Sequence, residues 1–535
     1  MRSSRTTVTQ ETLILVGNIG DQARIIRFLE QAESYGAGAG VGRVERIDTH
    51  AAIVFLAGEF AYKIKRAVAL AYLDFSTLEK RREVCRRELD LNRRTAPQLY
   101  ISVVPVTQQP DGALAIDGDG TPVEWAVKMR RFDNAMLFDR LAVAGDLTID
   151  DVDRVARNVA SFHATIDVVR DQAALASLRT VVDTTFRAPL RAQSQIDPKD
   201  ATATLKLAGA RFEALSPLLA GRLSAGFVRH CHGDLHLKNI VRIDGQPTLF
   251  DAIEFDQSIA TVDVLYDLAF LLMDLWQRGL KHHANVVLNR YLYEAAAREN
   301  LAGLAALPLF LSLRAAVRCM VSIDQLTTDP EHAGDPVRRD VARYFDWAKT
   351  FLAPPAPRLV AIGGRSGTGK STVAALLAPD LGAAPGAVHI RSDRIRKRIY
   401  GVDELIRLDP EAYQPEASRQ VYQDMFAQAA DALAAGHSVV LDAVFLKPDE
   451  RAEADALARR MSVPFDGVWL DADADVLVGR VTRRVGDASD ADAKVVALQF
   501  GRETGDITWP IVDANGSADD VVRRVEAILV EAAEA

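Results

Sequence analysis

The sequence has little cysteine and no long apolar run. Cys85, Cys231 and Cys319 lie far apart and form no C-x-x-C pair, so they predict neither a disulfide framework nor a zinc site. The most apolar stretch, residues 301–313, is short and contains Pro308, so no membrane span is expected. The first residues lead into only four consecutive apolar positions and show no signal-peptide core. These features predict a cytoplasmic protein without membrane association.

Positive charge is scarcer than negative charge. The 535 residues include 64 Lys and Arg against 73 Asp and Glu, a net charge of −9. This balance argues against a broad nucleic-acid surface, and we do not expect nucleic acid as a partner. The length predicts two to four folding units, and the composition leaves the oligomeric state open.

A polar cluster in the middle of the chain predicts chemistry. Residues 232–239 read H-G-D-L-H-L-K-N, and Asp251 follows a short predicted hairpin around Asp244-Gly245. Phosphoryl transfer to a hydroxyl needs a carboxylate to accept the proton and oxygen ligands for Mg²⁺. Asp234 has the spacing of the base, and Asn239 and Asp251 have the spacing of the Mg²⁺ ligands. The alternative is a polar loop that ends in an ordinary hairpin.

The segment before this cluster predicts a small β-rich lobe. Residues 1–40 are expected to form a tail and a helix over residues 21–35, followed by a small lobe over about 41–131 and a large lobe over about 132–352. In the strand Y-K-I-K, Lys63 and Lys65 point to one face. We favour Lys63 paired with Glu88 as the nucleotide-phosphate lysine and its partner, with Lys65 and Glu83 as the alternatives. Residues 129–132 fall where an interlobe hinge would receive adenine.

A proline cluster at residues 353–357 predicts a stiff linker, after which the composition changes. A buried strand then leads into a run that fits G-x-x-x-x-G-K-[ST] and opens a helix. The glycines of such a loop let backbone N–H groups surround phosphates, while the lysine contacts the β/γ oxygens and the following hydroxyl binds Mg²⁺. The predicted nucleotide-binding residues are Gly364, Ser366, Gly367, Thr368, Gly369, Lys370, Ser371 and Thr372.

The remainder of this half, residues 358–535, alternates strands and helices. Acidic residues follow two of the predicted strands, at the edge where open α/β sheets bind ligands. Asp442 is predicted to lie near Mg²⁺, and Asp393 is predicted to act as a general base. Arg483 and Arg484, with Arg480, lead into a polar stretch at 486–491 and predict a lid over the transferred phosphate. A solvated charged helix is the alternative.

These motifs carry two resemblances. Residues 1–350 resemble the aminoglycoside phosphotransferase family through the 232–239 motif, Asp251 and the Tyr62-Lys63 pair. The resemblance departs at the first hairpin, where residues 48–51 replace a glycine-rich phosphate loop. Residues 358–530 resemble the P-loop kinases akin to gluconate kinase, chloramphenicol phosphotransferase and zeta toxins, and the whole order resembles bacterial fusions of two such domains.

The resemblances imply an α+β bilobal kinase-like domain followed by an α/β P-loop NTPase domain with a parallel sheet. They imply ATP and Mg²⁺ at two nucleotide sites, and transfer of the γ-phosphate to hydroxyls of small molecules. Two alternatives remain open: a single small-molecule kinase with a regulatory ATP-binding domain, and a nucleic-acid end or protein kinase. The sequence does not select the acceptor, ATP over GTP, or communication between the halves.

Overall fold

The computed structural model describes residues 19–36, 42–49, 51–70, 73–328, 334–484 and 486–534. The predicted tail at 1–18 and His50 lie outside the described residues. The chain divides into two compact units, one formed by the residues up to Leu147 together with His230–Val262, and the other by Thr148–Arg229 together with the residues from Asp263 onward.

The α-helices of the described ranges are, in chain order, α1 Ile19–Leu29, α2 Leu78–Asn92, α3 Phe138–Ala144, α4 Ile149–Thr165, α5 Ala173–Arg187, α6 Pro198–Ala225, α7 Gln257–Ala260, α8 Val264–Gln277, α9 Lys281–Ala295, α10 Arg298–Gly303, α11 Leu307–Thr328, α12 Asp335–Leu352, α13 Lys370–Leu377, α14 Ser392–Ile399, α15 Pro415–Ala434, α16 Pro448–Met461, α17 Ala474–Arg483, α18 Ala493–Phe500 and α19 Ala518–Glu534.

The strands are β1 Glu45–Asp48, β2 Ala52–Ala57, β3 Phe60–Lys65, β4 Ala69–Leu70, β5 Leu73–Asp74, β6 Tyr100–Gln108, β7 Leu114–Ile116, β8 Thr121–Arg130, β9 Val228–His230, β10 Ile240–Ile243, β11 Gln246–Leu249, β12 Thr261–Asp263, β13 Leu359–Gly364, β14 Val388–Arg391, β15 Val439–Asp442, β16 Phe465–Asp471 and β17 Ile511–Asp513.

The first unit is built on a six-stranded antiparallel sheet in the order β1-β2-β3-β8-β6-β7. Strand β3 lies between β2 and β8, with Lys63 opposite Val54 on one side and Val127 on the other. The predicted N-terminal helix is shorter than expected, because α1 ends at Leu29 and residues Ala32–Tyr35 form a separate 3-10 turn. The Tyr35 hydroxyl donates to the Leu29 carbonyl at 2.6 Å, and this hydrogen bond ties the 3-10 turn to the end of α1.

The hairpin predicted beside the catalytic motif is present in the first unit. Strands β10 and β11 pair antiparallel, with Ile240 opposite Leu249. Asp244 and Gly245 both have positive φ, at 50° and 73°, as a two-residue type I′ turn requires. The turn residues therefore set the register of the hairpin, and this register places the end of the 232–239 motif close to Asp251.

The second unit contains the longest apolar stretch of the described residues. Arg298–Thr327 is long and apolar enough to cross a membrane by length and composition alone, and 67% of its most apolar window is buried inside the protein. This stretch is longer than the sequence analysis predicts, because Pro308 does not interrupt the helix. It is the second residue of α11, where the missing N–H costs no hydrogen bond. The burial is that of a core helix.

The second unit also contains a five-stranded parallel sheet in the order β14-β15-β13-β16-β17. The register places Asp442 opposite Ile362 of β13 and Arg391 of β14, so the carboxyl ends of the central strands lie at one edge. Helices α13 and α19 pack on the sheet, and their apolar residues form one buried cluster with it. The predicted fold class, a kinase-like α+β domain followed by an α/β P-loop domain, is confirmed.

The proline cluster connects α12 to β13 as extended, mostly exposed chain. Within the second unit, buried contacts nevertheless join residues before the proline cluster to residues after it. Asn285 of α9 donates to the carbonyls of Pro385 and Ala387, each at 3.0 Å. The Nε2 atom of His437 lies 3.2 Å from the Leu304 carbonyl. The predicted boundary at 353–357 stays a prediction.

Candidate active sites

In the first unit two lysines share one buried glutamate. Lys63 Nζ lies 2.7 Å from Oε1 of Glu88, and Lys65 Nζ lies 2.7 Å from Oε2. Glu88 is fully buried on α2, and Lys65 is 1% exposed and also pairs with Glu254. Glu83, the alternative partner, is exposed and pairs with Arg87. The geometry therefore favours the Lys63–Glu88 pair and gives Lys65 a buried position behind it.

Lys63 also reaches the predicted metal ligand. Its Nζ lies 2.5 Å from Oδ1 of Asp251, whose side chain is 40% exposed. Burial lowers the pKa of Lys63, but the charges of Asp251 and Glu88 outweigh it and raise that pKa well above its usual value. Burial likewise raises the pKa of Glu88, while the charges of the two lysines bring it down to about 2. Both groups are therefore charged at neutral pH, as binding of a nucleotide phosphate requires.

The catalytic-loop motif folds back on itself. Nδ2 of Asn239 donates to Asp234 twice, to the backbone carbonyl and to Oδ2, both at 2.9 Å. His236 Nε2 lies 3.4 Å from the same Oδ2. His232 Nε2 lies 3.0 Å from the Phe250 carbonyl, which ties the loop to the end of the hairpin. Asp234, Asn239 and the residue before Asp251 are thus held in one arrangement.

Asp251 has a backbone that its neighbours fix. Its φ is 61°, in the left-handed region, and its N–H donates to the Tyr100 hydroxyl at 3.2 Å. The next N–H, of Ala252, donates to Asn92 Oδ1 at 2.9 Å, and Asn92 in turn donates to the Glu88 carbonyl. The lysine partner and the metal-ligand candidate are therefore braced by the same helix, α2.

The donor set of this site fits a magnesium ion. Asn239 uses its amide nitrogen toward Asp234, so its carboxamide oxygen is the atom that it can offer to a cation. Asp251 offers a partly exposed carboxylate. Hard oxygen ligands of this kind suit Mg²⁺. The ring of Phe132, the last residue of the predicted hinge, packs edge to face on Phe250 with the ring centroids 5.2 Å apart.

In the second unit the glycine-rich run forms a loop between β13 and α13. Gly364, Gly367 and Gly369 have φ of 136°, 91° and 90°. A Cβ on Gly364 would lie 2.3 Å from the Leu470 carbonyl oxygen, and one on Gly367 would lie 2.8 Å from that of Leu477. Glycine is therefore required at both positions by backbone conformation and by close packing. Lys370 Nζ donates to the Arg365 carbonyl at 3.0 Å.

A cavity of about 610 Å³ opens on this loop. Six of the eight predicted loop residues line it, and Gly364 and Thr368 lie behind them, with the Thr368 hydroxyl donating to the Arg365 carbonyl at 2.8 Å. Asp393 and Asp442 line the same cavity. The structure thus brings the lysine, the hydroxyl of Ser371 and both predicted carboxylates together.

The two carboxylates have different environments. Burial raises the pKa of Asp442, but the hydrogen bond with His389 at 3.4 Å and the charge of Arg391 at 3.3 Å lower it overall. Burial raises the pKa of Asp393, and the charge of Asp442 adds to the rise despite Arg391. Asp442 is thus held ionised, as a metal ligand requires, whereas the raised pKa of Asp393 suits proton transfer.

The arginines of the predicted lid differ in their positions relative to this cavity. Arg484 lines the cavity, and its Nη2 donates to the carbonyls of Ser489 and Ala491 at 3.1 and 2.8 Å. Arg480 lines the cavity as well. Arg483 does not line it: its side chain is exposed and donates to the Gly479 carbonyl at 3.1 Å. Arg483 is the last residue of α17 and Arg484 follows it in extended backbone, so the side chains of these two neighbours point in different directions.

Sequence reasoning missed two supports of this site. Gln499 of α18 is buried, accepts from the Ser366 N–H at 2.7 Å and donates to the Ser366 hydroxyl at 3.0 Å. Asp490 accepts from Lys397 at 2.7 Å and from the Tyr413 hydroxyl at 2.5 Å. A lone glutamine beyond the motif has no sequence signature. The fully buried Lys397 could have been noticed only as a cation in an apolar helical position.

Comparison with known proteins agrees with the P-loop assignment. The family model described as an AAA domain matches residues 359–502. The chain is 30% identical over 490 residues to the uncharacterized protein Rv2004c of Mycobacterium tuberculosis. The aligned region covers 88% of this chain and 92% of that protein. An uncharacterized protein of Mycobacterium bovis matches to the same extent. The chain belongs to the family of these mycobacterial proteins.

Solved structures resemble each half separately. A gluconokinase from Sinorhizobium meliloti is 24% identical and covers 33% of this chain and 94% of its own, with a TM-score of 0.24. A choline/ethanolamine kinase family protein from Mesorhizobium loti is 16% identical and covers 62% of this chain and 95% of its own, with a TM-score of 0.38.

Proposed function

We propose that this protein is an ATP-dependent kinase with two nucleotide sites, each transferring the γ-phosphate to a hydroxyl of a small molecule. The supporting observation is that each half assembles a lysine and carboxylates in one place. In the first unit Lys63 lies 2.5 Å from Asp251, and in the second Lys370, Asp393 and Asp442 share one cavity. In phosphoryl transfer a lysine neutralises phosphate charge, and carboxylates accept the acceptor's proton or hold Mg²⁺.

In the first half Asp234 accepts the proton of the acceptor hydroxyl as its oxygen attacks the γ-phosphorus and ADP leaves. Lys63, held by Glu88, binds the α and β phosphates. Asn239 and Asp251 would hold Mg²⁺, which neutralises the charge on the phosphates when bound. The hydrogen bonds from Asn239 to Asp234 keep the base oriented.

In the second half Asp393 has the role of proton acceptor. The backbone of the glycine-rich loop and Lys370 bind the nucleotide phosphates, and Ser371 with Asp442 would hold Mg²⁺. Arg484, on the cavity wall, stabilises charge on the transferred phosphate. Nothing in this arrangement requires the two halves to act on the same acceptor.

A small-molecule acceptor and a cytoplasmic location belong to the proposal. The net charge of −9 does not favour a polyanionic acceptor such as nucleic acid. All three cysteines are buried and reduced, which is compatible with a reducing compartment.

The test is phosphorylation of a metabolite extract with ATP labelled at the γ-phosphate. Wild type should label at least one acceptor, and Asp234→Asn and Asp393→Asn should each remove the products of one half, by about 10²–10⁴-fold, while nucleotide binding persists. Lys370→Ala should lose nucleotide binding in the second half. If Asp393→Asn transfers normally and Lys370→Ala changes only the rate of the first half, the P-loop domain is a sensor and the two-kinase proposal fails.

A further inference from the structure

A second cavity in the second unit shares no lining residue with the P-loop cavity. It has a volume of about 50 Å³ and lies between the C-terminal half of α9 with the turn that follows and, on the other side, β14 and α14. The polar side chains of its wall include Tyr293, Arg298, His389, Arg391, Arg394 and Arg398.

The wall of this cavity is cationic. Among the described residues that line it are four arginines and no carboxylate. Arg298 pairs with Asp431 at 2.5 Å, outside the wall. Arg398 donates to the Tyr293 carbonyl at 2.6 Å, and within the described part of the chain no carboxylate forms an ion pair with it. The charges of Asp424 and Glu294 act on Arg398 without forming an ion pair with it, so among the described residues this guanidinium lacks a direct anionic partner.

The carboxylate nearest to Arg394 is shared. Glu404 lies 2.9 Å from Arg394, 2.7 Å from Arg290 of α9 and 2.6 Å from Arg157 of α4. Burial, with the charges of Arg290 and Arg391, lowers the pKa of Arg394 to about 10. Burial also lowers the pKa of Arg398. These shifts indicate positive charge that an added anion would stabilise.

The arginines are already held in place. The guanidinium carbons of Arg394 and Arg398 lie 5.3 and 4.8 Å from the centroid of the Tyr293 ring. Such cation–π contacts orient the arginine side chains before a ligand binds, so binding costs little side-chain entropy. Since a buried water needs about 10–15 Å³, this volume holds roughly three to four waters, which is room for a single tetrahedral oxyanion.

We propose that this cavity binds a phosphate group, carried by inorganic phosphate or by a small phosphate monoester. Planar guanidinium groups match phosphate oxygens with paired N–H donors, and Arg398 is the principal ligand. His389 and Arg391, which line this cavity, also contact Asp442 of the P-loop cavity. His389 and Arg391 therefore connect the proposed phosphate site to Asp442, the predicted metal ligand.

The experiment is calorimetric titration of the full chain with inorganic phosphate and, separately, glycerol 3-phosphate. Both nucleotide sites are first saturated with Mg²⁺ and a non-hydrolysable ATP analogue, so that phosphate cannot bind there. Wild type should bind at least one of the two anions. Tighter binding of the ester identifies a phosphorylated metabolite as the ligand, and equal or tighter binding of phosphate identifies the free ion.

Two variants and a matched control decide the location. Arg398→Ala should weaken binding roughly tenfold or more, the loss expected for a charge-assisted hydrogen bond. Gln428→Glu, an isosteric change in the cavity wall that adds negative charge, should weaken it similarly even if Arg398→Ala folds poorly. Arg419→Ala, an exposed arginine on the same helix as Gln428, should bind as wild type. Absence of binding in wild type, or unchanged binding in Gln428→Glu, would overturn the proposal.

Discussion

At the scale of single residues, Lys63 and Lys65 have the same chemistry and different surroundings. Both contact Glu88, but only Lys63 reaches Asp251, and Lys65 lies behind it between Glu88 and Glu254. Sequence alternation places the two lysines on one face and cannot rank them, because both satisfy the period of two. Their ranking depends on which lysine reaches Asp251, a residue far along the chain, and this contact is set by the tertiary structure.

This difference predicts opposite outcomes for two matched substitutions. Lys63→Met should lose nucleotide binding in the first unit while the fold persists, because Lys63 reaches Asp251 at the phosphate site. Lys65→Met should instead destabilise the unit, because it leaves Glu254 and one oxygen of Glu88 buried without a cation, a change that typically costs about 3–5 kcal/mol. Nucleotide titration and thermal unfolding of both variants test this. Lost nucleotide binding in a stably folded Lys65→Met, with normal binding in Lys63→Met, would reverse the assignment.

Arg483 and Arg484 form a second matched pair. They are adjacent in sequence, yet only Arg484 lines the P-loop cavity. Arg484→Ala should lower transfer by the second half by about 10²-fold, the effect of removing one group that stabilises transition-state charge. Arg483→Ala should leave the rate unchanged, since its exposed side chain does not line the cavity and donates to the Gly479 carbonyl. Initial rates on an extract-derived acceptor provide the measurement, and equal losses in both variants would refute the assigned geometry.

At the scale of elements, motifs with fixed backbone requirements were predictable from sequence. The Asp244-Gly245 turn and the glycines before Lys370 need positive φ, and both appear where the residue types indicated. The contacts of Gln499 and Glu404 were not predictable, because each depends on a partner more than 100 residues away in the chain. Local patterns carry no information about such pairings.

Glu404 is the centre of one such pairing and makes a pH prediction. Burial raises its pKa, but the charges of Arg394 and Arg290 and a hydrogen bond from Arg157 lower it to about 2. A carboxyl whose folded-state pKa is below its unfolded value stabilises the protein above the unfolded pKa, and this contribution is lost as the pH falls toward the folded value.

Glu404→Gln should therefore lower the melting temperature at neutral pH. The difference from wild type should narrow as the pH falls from about 4.5 toward 2, the window between the usual glutamate pKa and the lowered one. Glu453→Gln is the control, because Glu453 forms an exposed pair with Arg460 and should change stability by less than about 1 kcal/mol. A difference that stays constant or widens on acidification would show that Glu404 is not held ionised by its arginines.

At the scale of the whole molecule, the proline cluster predicts a boundary that buried contacts cross. The apolar cluster of the P-loop domain lies entirely between Val360 and Leu529, so residues 356–535 contain a core of their own. Helix α9 lies before the proline cluster, yet its residues Asn285 and Arg290 contact residues that follow that cluster in the chain. Because the fragment contains its own core, we expect it to fold in isolation. Because it then loses the buried polar contacts with α9, we expect it to be less stable in isolation than in the full chain.

Fragments 1–352 and 356–535, expressed together, should therefore co-elute in size-exclusion chromatography, although no peptide bond joins them. Glu404→Arg in the second fragment should abolish co-elution, because it places a cation among Arg157, Arg290 and Arg394. Glu416→Arg, at an exposed site on α15, should leave co-elution intact. The isolated second fragment should also melt at a lower temperature than in the complex, since its contacts with α9 and with the Leu304 carbonyl are lost. Separate elution of the wild-type fragments, with an unchanged melting temperature for the second, would show that the contacts around Glu404 contribute nothing and that the proline cluster separates two independent domains.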